Sequence, residues 1–174
     1  MRRPFHSPLQ SLVSVGWLLL GGASVAAECP LDHGIYTEAS SGAVLAFHPK
    51  TAEHGIMTSG VFELRLPNLK QGFAGEITWT AGRNSRPYGF IDKTCAEPTT
   101  AENPGACRLW YGTVYSVGNG TVGLIDDDEM MAPRALLLAD FGHALLWDTA
   151  FLAANPRALA MDLFALSGCS PGQP

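Results

Sequence analysis

Apolar and polar residues alternate most clearly over 61–66, where Phe62, Leu64 and Leu66 fall on one side of an extended chain and Val61, Glu63 and Arg65 on the other. That pattern predicts a strand with one buried and one wet face. The segment 76–81 repeats it with Ile77 and Trp79 inward, and Pro67 to Gly72 between the two reads as a hairpin loop. A third strand is expected around Tyr88 to Lys93. From Arg108 to Val117 the chain is apolar on both sides, with Leu109, Tyr111, Tyr115 and Val117 on one face and Trp110 and Val114 on the other. Such a strand either lies in the middle of a sheet or turns one face to a partner.

Asn119-Gly120 then stands between strand-like flanks, a hairpin signal because both residues tolerate positive φ, so Val122 to Ile125 should fold back on the preceding strand. Asp126 to Glu129 marks a solvent-facing loop. The apolar run Ala135 to Phe141 is too short to decide between buried strand and helix start. Thr149 to Ala154 predicts a short helix that Asn155-Pro156 stops, and Leu159 to Leu166 a final strand. The sum is seven to nine short strands with frequent turns. Mainly β architecture follows: a small antiparallel sandwich or barrel with a minor C-terminal helical element.

The first residues change the picture. Arg2 and Arg3, the apolar stretch Leu12 to Leu20 and the small-residue run Ala23 to Ala27 have the charged, apolar and cleavable layout of a secretory signal over residues 1–27. Its apolar run is short for a bilayer span, and no later segment offers about 20 uninterrupted apolar residues, so no transmembrane segment is expected in the mature chain. A single domain over 28–169 and a loose tail over 170–174 remain. The expected location is periplasmic or secreted.

Four cysteines, Cys29, Cys95, Cys107 and Cys169, all fall after the cleavage point, and an even count in an exported chain predicts disulfides. Of three possible pairings, Cys95–Cys107 with Cys29–Cys169 is preferred. The first closes the polar loop 96–106 and the second fastens the domain's start to its end, closures worth roughly 3 and roughly 5 kcal/mol at most.

Composition then removes partners. The chain is 47% hydrophobic and 16% charged, which is not the profile of a disordered chain. Without residues 1–27 it keeps all 16 acidic and 9 of its 11 basic side chains, a formal charge of −7. Nucleic acid is excluded as a partner on that ground.

Motifs for catalysis or cofactors fail on context. Gly118-Asn119-Gly120-Thr121-Val122-Gly123 has dinucleotide-turn spacing, but Leu124-Ile125 leads into four acidic residues where a phosphate would need a helix N-terminus. Asp140-Phe141-Gly142 lacks every other kinase element. His33, His48 and His54 could in principle ligate a metal and Asp126 to Glu129 calcium, yet neither set has a ligand spacing. No nucleophile motif is present, though Ser40, Ser59, Ser85 or Ser116 could belong to a triad assembled from distant residues. No cofactor, metal site or catalytic residue is therefore expected.

The aromatic set Trp79, Tyr88, Trp110, Tyr111 and Tyr115 lies on predicted strands, mostly as core. The part that could bind is an aromatic face around Tyr88 and Trp110, with Arg83 and Arg86 in the adjacent turn to grip a carboxylate or a protein. Small disulfide-bonded β domains of the cell envelope, such as lysozyme inhibitors, are similar in size and expected architecture, without a shared motif. The leading expectation is an exported, non-enzymatic binding domain for a protein or small molecule. A small exported hydrolase or metal-dependent enzyme using His and Asp groups, and a structural envelope component, are the alternatives.

Overall fold

The computed structural model describes residues 29–67, 69–82, 85–93, 107–125, 131–156 and 160–171. After a 3-10 turn at Leu31–His33 come β1 (Gly34–Thr37), β2 (Val44–His48), β3 (Thr58–Arg65), β4 (Phe73–Trp79), β5 (Pro87–Asp92), β6 (Arg108–Gly118), β7 (Thr121–Leu124), β8 (Ala135–Leu138), α1 (Phe141–Trp147), α2 (Thr149–Ala154) and β9 (Leu163–Cys169). Every pairing is antiparallel. The order β5-β4-β3-β2-β1-β9-β8-β6 closes through β5–β6 into an eight-stranded barrel, with β7 as an extra strand beside β6. The sandwich is thereby excluded.

The length of β6 makes this closure possible. Its first half pairs with β5, Tyr88 opposite Thr113 and Ile91 opposite Trp110, while Val114 to Val117 pair with β8 across the other edge. Its far end carries β7 through the Asn119-Gly120 hairpin, whose φ angles of 50° and 77° are those of the tight turn expected there. Register shifts at Ile35/Tyr36, Thr58/Gly60 and Ile91/Asp92 bend strands around the barrel.

An eight-stranded barrel is just wide enough for side chains to fill. Here they do. Tyr36, Leu45, Phe47, Phe62, Leu64, Ile77, Ile91, Trp110, Val114, Leu136, Leu138 and Phe164 are buried, and Phe141 and Leu145 of α1 join the same cluster. Large residues lie over inward glycines. A Cβ on Gly75 would come within 2.3 Å of the Phe62 ring, and one on Gly89 within 2.7 Å of Trp110. Nonlocal closure is reinforced by the Cys29–Cys169 disulfide, which joins residues 140 positions apart. Cys107 is also disulfide-bonded, and Cys95, its expected partner, lies outside the described residues.

Several expectations shift. The strands β1 (Gly-Ile-Tyr-Thr) and β2 (Val-Leu-Ala-Phe-His) show no apolar/polar alternation in sequence and are not among the expected strands; β1 nonetheless alternates in burial, whereas β2 reads half-buried, buried, buried, buried, exposed. The run 135–141 resolves into both alternatives, strand to Leu138 and helix from Phe141. The final strand begins at Leu163, four residues later than its apolar start. Leu109 does not share the outer face of Tyr111, because it is the extra residue of the Ile91/Asp92 bulge and is buried. Trp79 lies half-buried near the end of its strand. The α2 helix runs over the predicted residues, with Asp148 accepting from the Phe151 amide at its start and the Asn155 side chain donating to the Phe151 carbonyl at its end.

Candidate functional site

With Leu136 and Leu138 turned into the core, strand alternation sends Ala135 and Leu137 to the outer side, where Leu137 is half-buried and Ala135 is buried at 8% exposure. The register then aligns them with apolar neighbours on every side. Leu124 of β7 lies opposite Tyr115 of β6, Tyr115 opposite Leu137 of β8, and Leu137 opposite Leu163 of β9. One step along, Val122 is opposite Val117, Val117 opposite Ala135, and Ala135 opposite Ala165. Two unbroken apolar rows thus cross four strands on the outside of the barrel, a width of about 14 Å at strand spacing.

Helix α1 extends this surface. Phe141 and Leu145, one helical turn apart, face the core, so His143, Leu146 and Trp147 project to solvent. Trp147 is 72% exposed, Met161 64%, Leu146 54% and Leu163 49%. Between α1 and the strands lies an open cleft of about 530 Å³ lined by Leu137, His143, Leu146, Met161, Asp162 and Leu163. Large exposed apolar side chains gathered in one place are the mark of an interaction surface.

The placement of α1 is locally determined. Asp140 enters the helix at φ 59° without capping it, and the cap comes from Asp162, whose Oδ1 accepts from the Gly142 amide at 2.7 Å. The Asp162 carbonyl also accepts from the Leu138 amide at 2.9 Å. Gly142 is needed because a Cβ there would meet the Ala160 carbonyl at 2.7 Å. At the other end Lys93 donates to Asp148 at 2.6 Å, and the Asp148 carboxyl is held below its ordinary value, first by the Lys93 hydrogen bond, against burial, and then by the Phe151 amide. That pair ties the α1–α2 corner to the end of β5.

A second outward cluster adjoins on β5 and β6. The Tyr88 and Tyr111 rings stack at 5.1 Å with planes 3° apart, and the Arg108 guanidinium sits 4.5 Å from the Phe90 ring centroid while donating to Asp92 at 3.0 Å. Of the expected ligand-binding residues, Tyr88 belongs to this face. Trp110 does not: it is only 2% exposed, packs edge-on against Phe141 at 5.9 Å, and donates from Nε1 to the Ala139 carbonyl at 2.9 Å. The reason is parity, since Tyr111 and not Trp110 is the outward member of the pair. Arg86 is exposed with its amide bonded to Thr80, and Arg83 lies outside the described residues. The cation on the aromatic face is Arg108, which the sequence reading missed although it precedes Tyr111 by three residues.

The remaining candidates have separate local contacts. His33 bonds Ser170 at the chain ends, His54 closes a turn with Thr51, and His48 ends β2. Among the described residues no three His, Cys, Asp or Glu side chains converge as a metal site. Ser40 donates to the buried Glu38, Ser85 to the Thr80 carbonyl and Ser116 to the Leu124 carbonyl. Asp126 to Glu129 lie outside the described residues. No helix among the described residues is long and apolar enough to cross a membrane. No known protein family, curated protein or solved structure matches the chain.

Proposed function

We propose that this chain is an exported binding domain that docks a protein partner on the outside of its barrel, over β6, β8, β9 and α1. One observation carries the reading: the core is packed with side chains while exposed Leu146, Met161 and Leu163 line one open cleft, with Trp147 beside it against the His143 ring. An open apolar cleft on the outside of the barrel suits a protein segment better than a buried ligand. Export is supported by the signal-like layout of residues 1–27 and by disulfides at Cys29–Cys169 and Cys107. The soluble mature chain then begins at Glu28, and its formal charge of −7 disfavours nucleic acid.

The test is a comparative capture from the exported fraction. Wild-type bait should retain a partner that bait carrying Trp147→Ser with Leu163→Lys loses, while Arg65→Ala, on the opposite wall, retains it. Equal capture by all three baits would sink the reading. Intact mass of the secreted product should show an N-terminus at Glu28; an uncleaved chain would remove the export part.

A further inference from the structure

We infer that β7 is a pairing edge for a second copy of this chain, so that two barrels join through antiparallel β7 strands around a two-fold axis. The observation that carries it, the open edge of β7, is separate from the cleft beside α1, although the apolar rows of the proposed docking face run onto β7. At one end of the nine-strand order, β7 pairs only with β6 among the described residues, and all four of its residues are exposed. In a two-residue hairpin closed by the Gly118/Thr121 pair, the next pair, Val117/Val122, is the one whose backbone groups turn away from each other. Val122 therefore presents its N–H and C=O to the open edge.

Exposed edges are ordinarily protected by charge, proline or a bulge. Within the hairpin itself, from Ser116 to Ile125, there is no charged residue and no proline, the acidic run starting only at Asp126 beyond the strand, and the β6–β7 register runs without a shift. A strand edge recognises extended backbone, and the side chains say whose. Val122 and Leu124 lie two apart on the same face, so a register centred on Gly123 sets Val122 opposite Leu124 of the second copy, and Leu124 opposite its Val122. The contact is self-complementary, as a two-fold interface requires. Both apolar rows of the outer face also reach β7 and end there, and the second copy carries them on without interruption. A four-residue edge buries little area, so the dimer should dissociate on the order of tens of micromolar.

Sedimentation equilibrium of the oxidised mature chain, from roughly 5 to roughly 500 µM, tests this. Wild type should pass from monomer to dimer. Val122→Lys and, as a separate variant, Leu124→Lys should each weaken the dimer about a hundredfold, because every dimer carries the change twice. Trp147→Ser with Leu163→Lys should leave it unchanged. A wild-type chain that stays monomeric throughout, or a dimer that survives both β7 variants, overturns the proposal. So does a dimer abolished by the α1/β9 pair, which would place the contact on the docking face instead.

Discussion

The two walls of the barrel share one interior and differ on the outside. On the β2–β4 wall each outward apolar residue faces a polar or charged one: Val44 is opposite Arg65, Ala46 opposite Glu63, His48 opposite Val61, and Val61 opposite Glu76 on the next strand. Arg65 and Glu63 further bond each other at 2.8 Å. On the β6–β8–β9 wall the same antiparallel geometry sets Tyr115, Leu137 and Leu163 in line. Strand alternation requires only that one face be apolar. An apolar outer face on the second wall is not something folding requires, and for that reason the proposed docking face lies there and not on the first.

Unseating α1 should break the comparison most severely. Gly142→Ala drives a methyl into the Ala160 carbonyl with Met161 Cα close behind, backbone that cannot swing away as a side chain would. A loss of about 2–4 kcal/mol is expected in denaturant titrations, together with loss of partner capture. An unchanged midpoint would mean that α1 is not held where Asp162 holds it.

The polar wall has its own anchor, and it titrates. Glu38, 4% exposed in the β1–β2 turn, accepts from the amides and hydroxyls of Ser40 and Ser41 at 2.5–2.9 Å. Burial pushes its carboxyl up, but the four donors outweigh that and hold it at about 2, below the ordinary 4.5. A depressed carboxyl stabilises the fold above its unfolded value and loses that contribution as pH falls toward the folded one. Glu38→Gln should therefore cost about 2 kcal/mol at neutral pH. The gap to wild type should narrow as pH falls from 4.5 to about 2. A pH-independent gap would show that packing and not charge fixes the turn.

How much of this was legible in the sequence depends on how local each signal is. The Asn119-Gly120 hairpin, the faces of β3 and the α2 stop at Asn155-Pro156 are decided within a few residues, and they stand as expected. The expectation of a strand apolar on both faces, either central or meeting a partner, identified β6 as unusual. It could not say which outward neighbours β6 would have, because Leu124, Leu137 and Leu163 come from three later strands. Nor could it separate Tyr88 from Trp110: which face of β6 turns inward, and the register that sets Ile91 opposite Trp110 and Tyr88 opposite Thr113, are invisible without the partner strand. The α1 part of the face was hidden for another reason. Phe-Gly-His-Ala-Leu-Leu-Trp has apolar residues all round a helix, so nothing in its period marks Leu146 and Trp147 as the outer ones.

The smallest expected effect on stability is also the sharpest test of the difference between the walls. Trp147 is mostly in water and Leu163 about half so, and both stand on the surface, so exchanging them for Ser and Lys removes little buried area and leaves no core cavity. The melting midpoint of the double variant should stay within about 2 °C of wild type. If those residues belong to an external contact, the same variant should bind an apolar fluorophore such as anilinonaphthalene sulfonate more weakly, whereas Val61→Lys on the polar wall should leave that signal as it was. A large drop in midpoint would show that Trp147 and Leu163 serve the core after all. The apolar wall would then be a packing surface, and the barrel's two sides would differ in degree and not in purpose.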